Sequence, residues 1–204
     1  MNVENLLDLY RDYLIVNPSY STATGLSRVS NSIVSHDQVI RLLSGEDITS
    51  KTLWSYVKPL CHEVRSSEGV LIIDDSIEPK PYTKVNALIN WHYDHCIGKS
   101  VKGVNFISAF YYSNEIGLPV GVEYVKKDRR IINGSGKVQY KSKETKNEMM
   151  RRIAQARLHV DFKYVLSDSW FCSVANMRFI TQECGFSFIM ALKSNRVVAL
   201  SKKE

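Results

Sequence analysis

Two short stretches decide the fold: Gly69-Val70-Leu71-Ile72-Ile73-Asp74-Asp75-Ser76 and Phe162-Lys163-Tyr164-Val165-Leu166-Ser167-Asp168-Ser169. Each begins as a brief run of apolar and aromatic residues and ends in an acid followed by a serine. A continuous apolar run of this length, bounded by polar turn residues, reads as a strand buried on both faces. Such strands belong to the middle of a sheet covered by other layers. An acid at the carboxyl end of a buried strand is costly to desolvate unless something compensates it. In open sheets those ends are also where ligands bind. The two stretches therefore predict central strands, and if those strands are neighbours Asp74 and Asp168 converge at one end.

The elements between and around them follow from pattern. Residues 103–112 (GVNFISAFYY) and 118–126 (LPVGVEYVK) are rich in β-branched and aromatic residues and flank a Ser-Asn-Glu-Ile-Gly turn, which predicts an antiparallel hairpin. Asn133-Gly134-Ser135-Gly136 reads as a loop. Residues 143–160 read as a helix with Met149, Met150, Ile153, Ala154 and Leu158 on its apolar face. A second helix covers 173–184, stopped by Gly185, and a last strand covers 186–192. Pro79 and Pro81 interrupt regular structure, so Trp91-His92-Tyr93-Asp94-His95 is expected in a loop.

The first 66 residues read as helical. Leu6, Leu7, Leu9, Tyr10, Tyr13 and Leu14 form an apolar stripe that ends before Pro18. Ser35 and Gln38 form a capping box for a helix closed by Gly45. A third helix spans about residues 52–64, with Pro59 inside it. Short helices joined by tight turns are compatible both with a helix-turn-helix and with a plain helical cap. The expected organisation is a helical region over 1–66 and an α/β domain over 67–204.

Composition narrows the functional classes. The 204-residue chain is 44% apolar and 24% charged, with four cysteines and net charge +6. This is ordinary for a globular chain and excludes collagen-like or low-complexity classes. Cys61, Cys96, Cys172 and Cys184 show no CxxC spacing, so they are expected as reduced thiols rather than zinc ligands or bridges. No membrane span or signal peptide is legible, and a cytoplasmic location is the expectation, in a bacterium if the family resemblance given below holds. The charge is concentrated. Residues 126–163 hold 12 Lys+Arg against 4 Asp+Glu, while the first 125 residues are net acidic. A basic run of that density suits a solvated face and equally a phosphate backbone, whose counterions it displaces.

Two adjacent carboxylates repel, and a hard divalent cation relieves that repulsion. Mg²⁺ takes one or two protein carboxylates and completes its shell with water and phosphate oxygens, and paired ions can serve phosphodiester hydrolysis. The strand order, with acids on the first and fourth strands, resembles the ribonuclease-H-like fold. Together with Trp91-His92-Tyr93-Asp94-His95, Lys102-Gly103-Val104-Asn105-Phe106 and Leu166-Ser167-Asp168-Ser169-Trp170-Phe171, it is similar to the DDE transposases of bacterial insertion sequences over about residues 20–204.

The resemblance implies a mixed sheet flanked by helices and a helical N-terminal region. It implies Asp74 and Asp168 as catalytic ligands of Mg²⁺ or Mn²⁺, two ions in the intact family. Asp75 competes with Asp74 for the first position, since successive strand residues face opposite ways. The implied partner is double-stranded DNA carrying the element's terminal repeats. Lys99, Lys102, Lys126, Lys127, Arg129, Arg130, Lys137, Lys141 and Lys143 are the expected DNA contacts, and Ser76, His92, His95 and Trp170 the expected lining of the site. A homodimer, or pairing with full-length transposase, is also implied. His92 and His95 alone are a poor transition-metal site, and Trp170 reads as core packing ahead of base stacking.

The family's third acid is a Glu on a helix after the fifth strand. Residues 193–204 leave no room for that helix, and Glu148, Glu183 and Glu204 do not replace it. Glu148 stands where ribonuclease H itself has an acid, but the transposase branch does not use that position. The expectation is a transposase piece that is inactive or nearly so by itself. The alternative is a non-catalytic DNA-binding chain or a transposase-pairing inhibitor.

Overall fold

The computed structural model describes residues 3–18, 20–45, 49–132, 134–136, 138–156 and 160–197. Asn133, Lys137, Leu158 and Glu204, named above, lie outside the described residues. Two compact units divide the chain between residues 48 and 49.

The first unit holds α1 (Val3–Val16), α2 (Ala23–Val29) and α3 (His36–Ser44). Its core is Leu6, Tyr13, Leu26, Val34 and Val39, with Leu9, Tyr10, Ala23 and Leu42 packed against it. Leu7 and Leu14, placed on the apolar stripe by the sequence, are exposed. The helix α2 was not anticipated; Thr22 caps it, its hydroxyl accepting the Gly25 N–H at 2.9 Å. The Ser35–Gln38 capping box is present as expected.

The second unit is built on one mixed sheet. Its strands are β1 (Val70–Pro79), β2 (Ile89–Asp94), β3 (Lys99–Ser113), β4 (Ile116–Tyr124), and, after an interruption, β7 (Tyr164–Ser167) and β8 (Ser187–Met190). The spatial order is β2-β3-β1-β7-β8, with β4 also paired to β3. β1, β2 and β4 run antiparallel to β3, whereas β7 and β8 run parallel to β1. This is the ribonuclease-H-like arrangement that the sequence predicts.

Alternation of side chains gives the sheet two unlike faces. Leu71, Ile73, Ile107, Ala109, Tyr111, Val120 and Val165 point into one core with Val57, Cys61, Met149, Met150, Ile153, Ala154, Phe171 and Ile180. Those partners come from α4 (Ser50–Val64), α5 (Lys146–Ala156), the loop before α6 (Val174–Arg178) and the π-helical turn Phe179–Glu183 that follows it. The helix α4, expected with the N-terminal helices, thus packs with the sheet, and the Ser50 hydroxyl accepts the Val122 N–H at 3.2 Å. The opposite face carries Phe110, Tyr112 and Ile189, which stay partly exposed.

Three local differences from the expectations have simple causes. β1 runs through to Pro79, because beyond Ile73 it is paired only with β3 and a missing N–H there breaks no second ladder. The stretch containing His92 is an edge strand and not a loop, because β3 extends back to Lys99 and supplies a partner for it. The basic stretch contains a separate hairpin, β5 (Arg129–Ile132) with β6 (Val138–Lys141), whose strands were not expected on either side of the loop read at 133–136.

The helix α5 begins three residues later than the pattern suggests. Thr145 and Glu148 form its cap: the Thr145 N–H and hydroxyl donate to Glu148 Oε2 at 2.7 and 2.8 Å, and the Thr145 hydroxyl accepts the Glu148 N–H at 3.2 Å. Asn176, fully buried, ties α6 to α5. Its amide donates to Asn147 Oδ1 and to the Phe171 carbonyl, both at 2.8 Å, and its oxygen accepts from Arg151 at 2.6 Å.

Close packing also fixes how β1 begins. The fully buried Tyr111 hydroxyl donates to the Asp161 carbonyl at 2.8 Å and accepts the Ser66 N–H at 3.1 Å. A Cβ on Gly69 would lie 2.7 Å from that hydroxyl oxygen, so only glycine fits before the strand.

Candidate active site

β1 and β7 are adjacent and parallel, with Ile73 opposite Ser167. One residue further along each strand stand Asp74 and Asp168. Both follow a residue that faces the helices, so both belong to the opposite, more open face. Asp74 Oδ1 accepts the Asp75 N–H at 2.9 Å. Asp168 Oδ1 accepts the N–H groups of Trp170 and Phe171 at 3.0 and 3.3 Å, which orients it at the head of the turn leaving β7. Burial raises the Asp74 carboxyl above the ordinary carboxylate range, and the charges of Asp168 and Asp75 add to that; the Asp75 N–H and Lys146 oppose it.

Asp75 faces the other way. Its carboxylate forms an ion pair with Lys146 at the start of α5, and both side chains are only 17% exposed. Lys146 also lies over the Trp170 ring, 5.0 Å from its centroid. Trp170 in turn donates from Nε1 to His95 Nε2 at 3.1 Å. The turn after β2, the start of α5 and the turn after β7 are thereby linked through Trp170. Nothing in the sequence singled out Lys146, which stood anonymously in the basic run; only the chain crossing that brings α5 to β1 reveals it.

The remaining expected residues separate. Ser76 is exposed on the Asp74 side of β1. Lys99 and Lys102 lie three apart on β3 and so point to opposite faces. His92 is 6% exposed, and its Nε2 has no hydrogen-bond partner among the described residues. Burial, and then the charges of Lys127 and Lys146, push it down to about 4. His95 is on the surface against Tyr93 and Trp170, so the two histidines do not converge. Lys126, Arg129, Arg130 and Lys141 are exposed, Lys143 pairs with Asp128 at 3.4 Å, and Lys127 is half-buried with its ammonium donating to the Trp91 carbonyl. Glu148 is occupied by its cap with Thr145, which holds its carboxyl below the usual range.

A family model described as DDE superfamily endonuclease matches residues 5–203. The chain belongs to the DDE superfamily of endonucleases. No curated protein matches this DDE chain. Membership makes DNA the substrate class, and DDE endonucleases generally use divalent metals. The residues present fit such an ion in part. Asp74 and Asp168 offer hard oxygen donors whose mutual repulsion a cation would relieve. Among the described residues, no group of three or more His, Cys, Asp or Glu side chains gathers to hold a metal. Among them, too, no helix is long and apolar enough to cross a membrane.

Proposed function

We propose that this DDE chain derives from an insertion-sequence transposase, and that Asp74 and Asp168 are its metal-binding carboxylates. The observation that carries this reading is that β1 and β7 lie side by side and parallel, with Asp74 next after Ile73 and Asp168 next after its partner Ser167, in a chain of the DDE superfamily. When bound, Mg²⁺ or Mn²⁺ (two ions in the intact reaction) would activate water and stabilise the leaving oxygen of the phosphodiester. The protein's own part is to hold the ligands. The turn N–H groups fix Asp168, the Asp75 N–H fixes Asp74, and Lys146 holds Asp75 on the far face, away from the pair. The intact reaction would hydrolyse element ends and join the freed 3′-hydroxyls to target DNA.

Among the described residues no third acid joins Asp74 and Asp168, so this chain should bind metal weakly and cut poorly. The test is to incubate purified protein with terminal-repeat DNA and Mg²⁺ or Mn²⁺, and to titrate Mn²⁺ calorimetrically. Expected are at most trace cleavage and weak Mn²⁺ binding that Asp74→Ala and Asp168→Ala each abolish. Efficient cleavage lost on Asp74→Ala would overturn the inactivity. Mn²⁺ binding indifferent to both substitutions would overturn the site.

A second reading rests on the exposed Arg129 and Arg130 of the β5–β6 hairpin: a chain that binds DNA, or pairs with itself or with full-length transposase, without cutting. Added to the full-length enzyme, it would then lower cleavage, and an unchanged rate would dismiss it.

A further inference from the structure

The hairpin of β2 and β3 runs past the end of β1. Pro79, the last residue of β1, is opposite Gly103, so residues 99–102 form a ladder only with β2. Asp94 stands opposite Lys99, nine positions along β3 from Ser108, the partner of Asp74. In a flat sheet, at about 3.3 Å per residue, the tip of this arm would lie about 30 Å from Asp74. His95, the next residue, instead accepts the Trp170 indole N–H at Nε2, at 3.1 Å. Trp170 is two residues after Asp168, and Asp168 follows the strand partner of Ile73. Two residues of chain add only about 7 Å, and two side chains cannot span the remainder. The arm therefore folds back toward the turn that carries Asp168.

The bend has a local cause. A Cβ on Gly103 would lie 2.3 Å from the Glu78 carbonyl oxygen, so the backbones approach too closely there for any other residue. The folded arm is pinned along its length. The Lys127 N–H donates to the Ala87 carbonyl at 2.7 Å, and the Lys127 ammonium donates to the Trp91 carbonyl. His92 is buried although β2 is the outermost strand, as a folded-back arm requires. The tip is stiff. Asp94 Oδ1 accepts the Cys96 and Ile97 N–H groups at 2.8 and 3.4 Å, and Gly98 turns the chain with φ +65°. Tyr93 braces the His95 ring edge-on, with centroids 4.9 Å apart.

We propose that His95 is a positioning residue for Asp168, acting through Trp170 from the tip of this arm. The inference rests on the reading of Asp74 and Asp168 as the metal-binding pair. The Trp170 backbone N–H donates to Asp168 Oδ1 at 3.0 Å, so the direction of that carboxylate follows the seat of Trp170. Two contacts fix the indole: Lys146 over its ring, 5.0 Å from the centroid, and His95 at its N–H. An indole N–H can only donate, so His95 must offer Nε2 as a lone-pair acceptor. The arm thus latches the turn after β7 from 75 residues away.

The test compares His95→Leu, which has no acceptor, with His95→Gln, whose amide oxygen accepts, and with Trp170→Phe. The Trp170 indole N–H resonance, assigned by its loss in Trp170→Phe, is followed by NMR without metal. It should move and exchange faster with solvent in His95→Leu, and stay near its parent position in His95→Gln. Mn²⁺ affinity, titrated calorimetrically, should fall about three- to tenfold in His95→Leu and in Trp170→Phe, the size of one hydrogen bond, and stay within about twofold in His95→Gln. Combining Leu and Phe should weaken binding no further than either alone. An unmoved indole resonance in His95→Leu would overturn the latch whatever the metal does. A moved resonance with parent Mn²⁺ affinity would overturn the positioning role, while loss of binding in Asp168→Ala would still uphold the active site. Equal loss of affinity in His95→Gln and His95→Leu would also overturn it, because the acceptor would not matter. Mn²⁺ binding indifferent to Asp168→Ala would remove the active-site reading and the role of His95 with it.

Discussion

The buried imidazole of His92 makes the sheet unit acid-sensitive, by an amount that the structure bounds. Its value falls from 6.5 to about 4, because the ring is desolvated and lies near Lys127 and Lys146. The unfolded chain then binds the proton more readily than the folded one between those values. Stability is therefore complete above about pH 6.5 and is lost progressively as pH falls toward 4. At about 1.4 kcal/mol per unit, the loss has an upper bound of about 3 kcal/mol, a large share of the roughly 5–15 kcal/mol of a typical domain. Asp74 acts in the opposite sense, since its raised carboxyl gains a proton more easily in the folded state. Glu148, held below its usual range by its cap with Thr145, loses its contribution in the same direction as His92 when pH falls. Urea denaturation followed by tryptophan fluorescence isolates the right unit, because Trp54, Trp91 and Trp170 all lie in residues 49–204. The parent should lose up to about 3 kcal/mol between pH 6.5 and 4, and His92→Leu should be flat or slightly more stable at the acid end. A flat parent curve, or an equal loss in the leucine variant, would refute the reasoning.

Other outcomes follow from the same contacts. Without metal, Asp74→Asn should raise the melting temperature at neutral pH by the equivalent of a few tenths to about 1 kcal/mol. That gain should vanish as pH falls and the parent carboxyl protonates; a loss of stability at neutral pH would contradict the raised value. Tyr111→Phe should cost about 1–3 kcal/mol in urea unfolding, since it removes the two hydrogen bonds that the buried hydroxyl makes to the Asp161 carbonyl and the Ser66 N–H. Lys146→Met and Asp75→Asn should each destabilise the sheet unit, and the double variant should cost less than their sum by about 1 kcal/mol or more. Strict additivity would mean that the pair does not interact.

How much of this was legible beforehand depends on what each feature needs. The acids Asp74 and Asp168 could be read directly, because a run such as Val70-Leu71-Ile72-Ile73 is consistent with a central strand, but the first acid does not end it: β1 runs on to Pro79 along β3. The Ser35 cap and the Met149, Met150, Ile153 stripe are equally local. The β2 strand was missed because its hydrogen-bond partner is a backward extension of β3, and a half-exposed edge strand carries no apolar run. The α4 helix was placed with the wrong neighbours, because its apolar face says that it packs but not against what.

The sequence by itself determined the two central strands, the longer helices and the two acids, since these rest on periodicity and on residue chemistry within a few positions. Tertiary structure decided the rest. It set Asp74 and Asp75 on opposite faces, and brought Lys146 from 71 residues away to pair with the second of them. It buried His92 beside two lysines, and gathered Lys127, Lys141 and Lys146 around one cleft. Those are distances across the sheet, and distance between remote residues is set by packing, which no local pattern encodes.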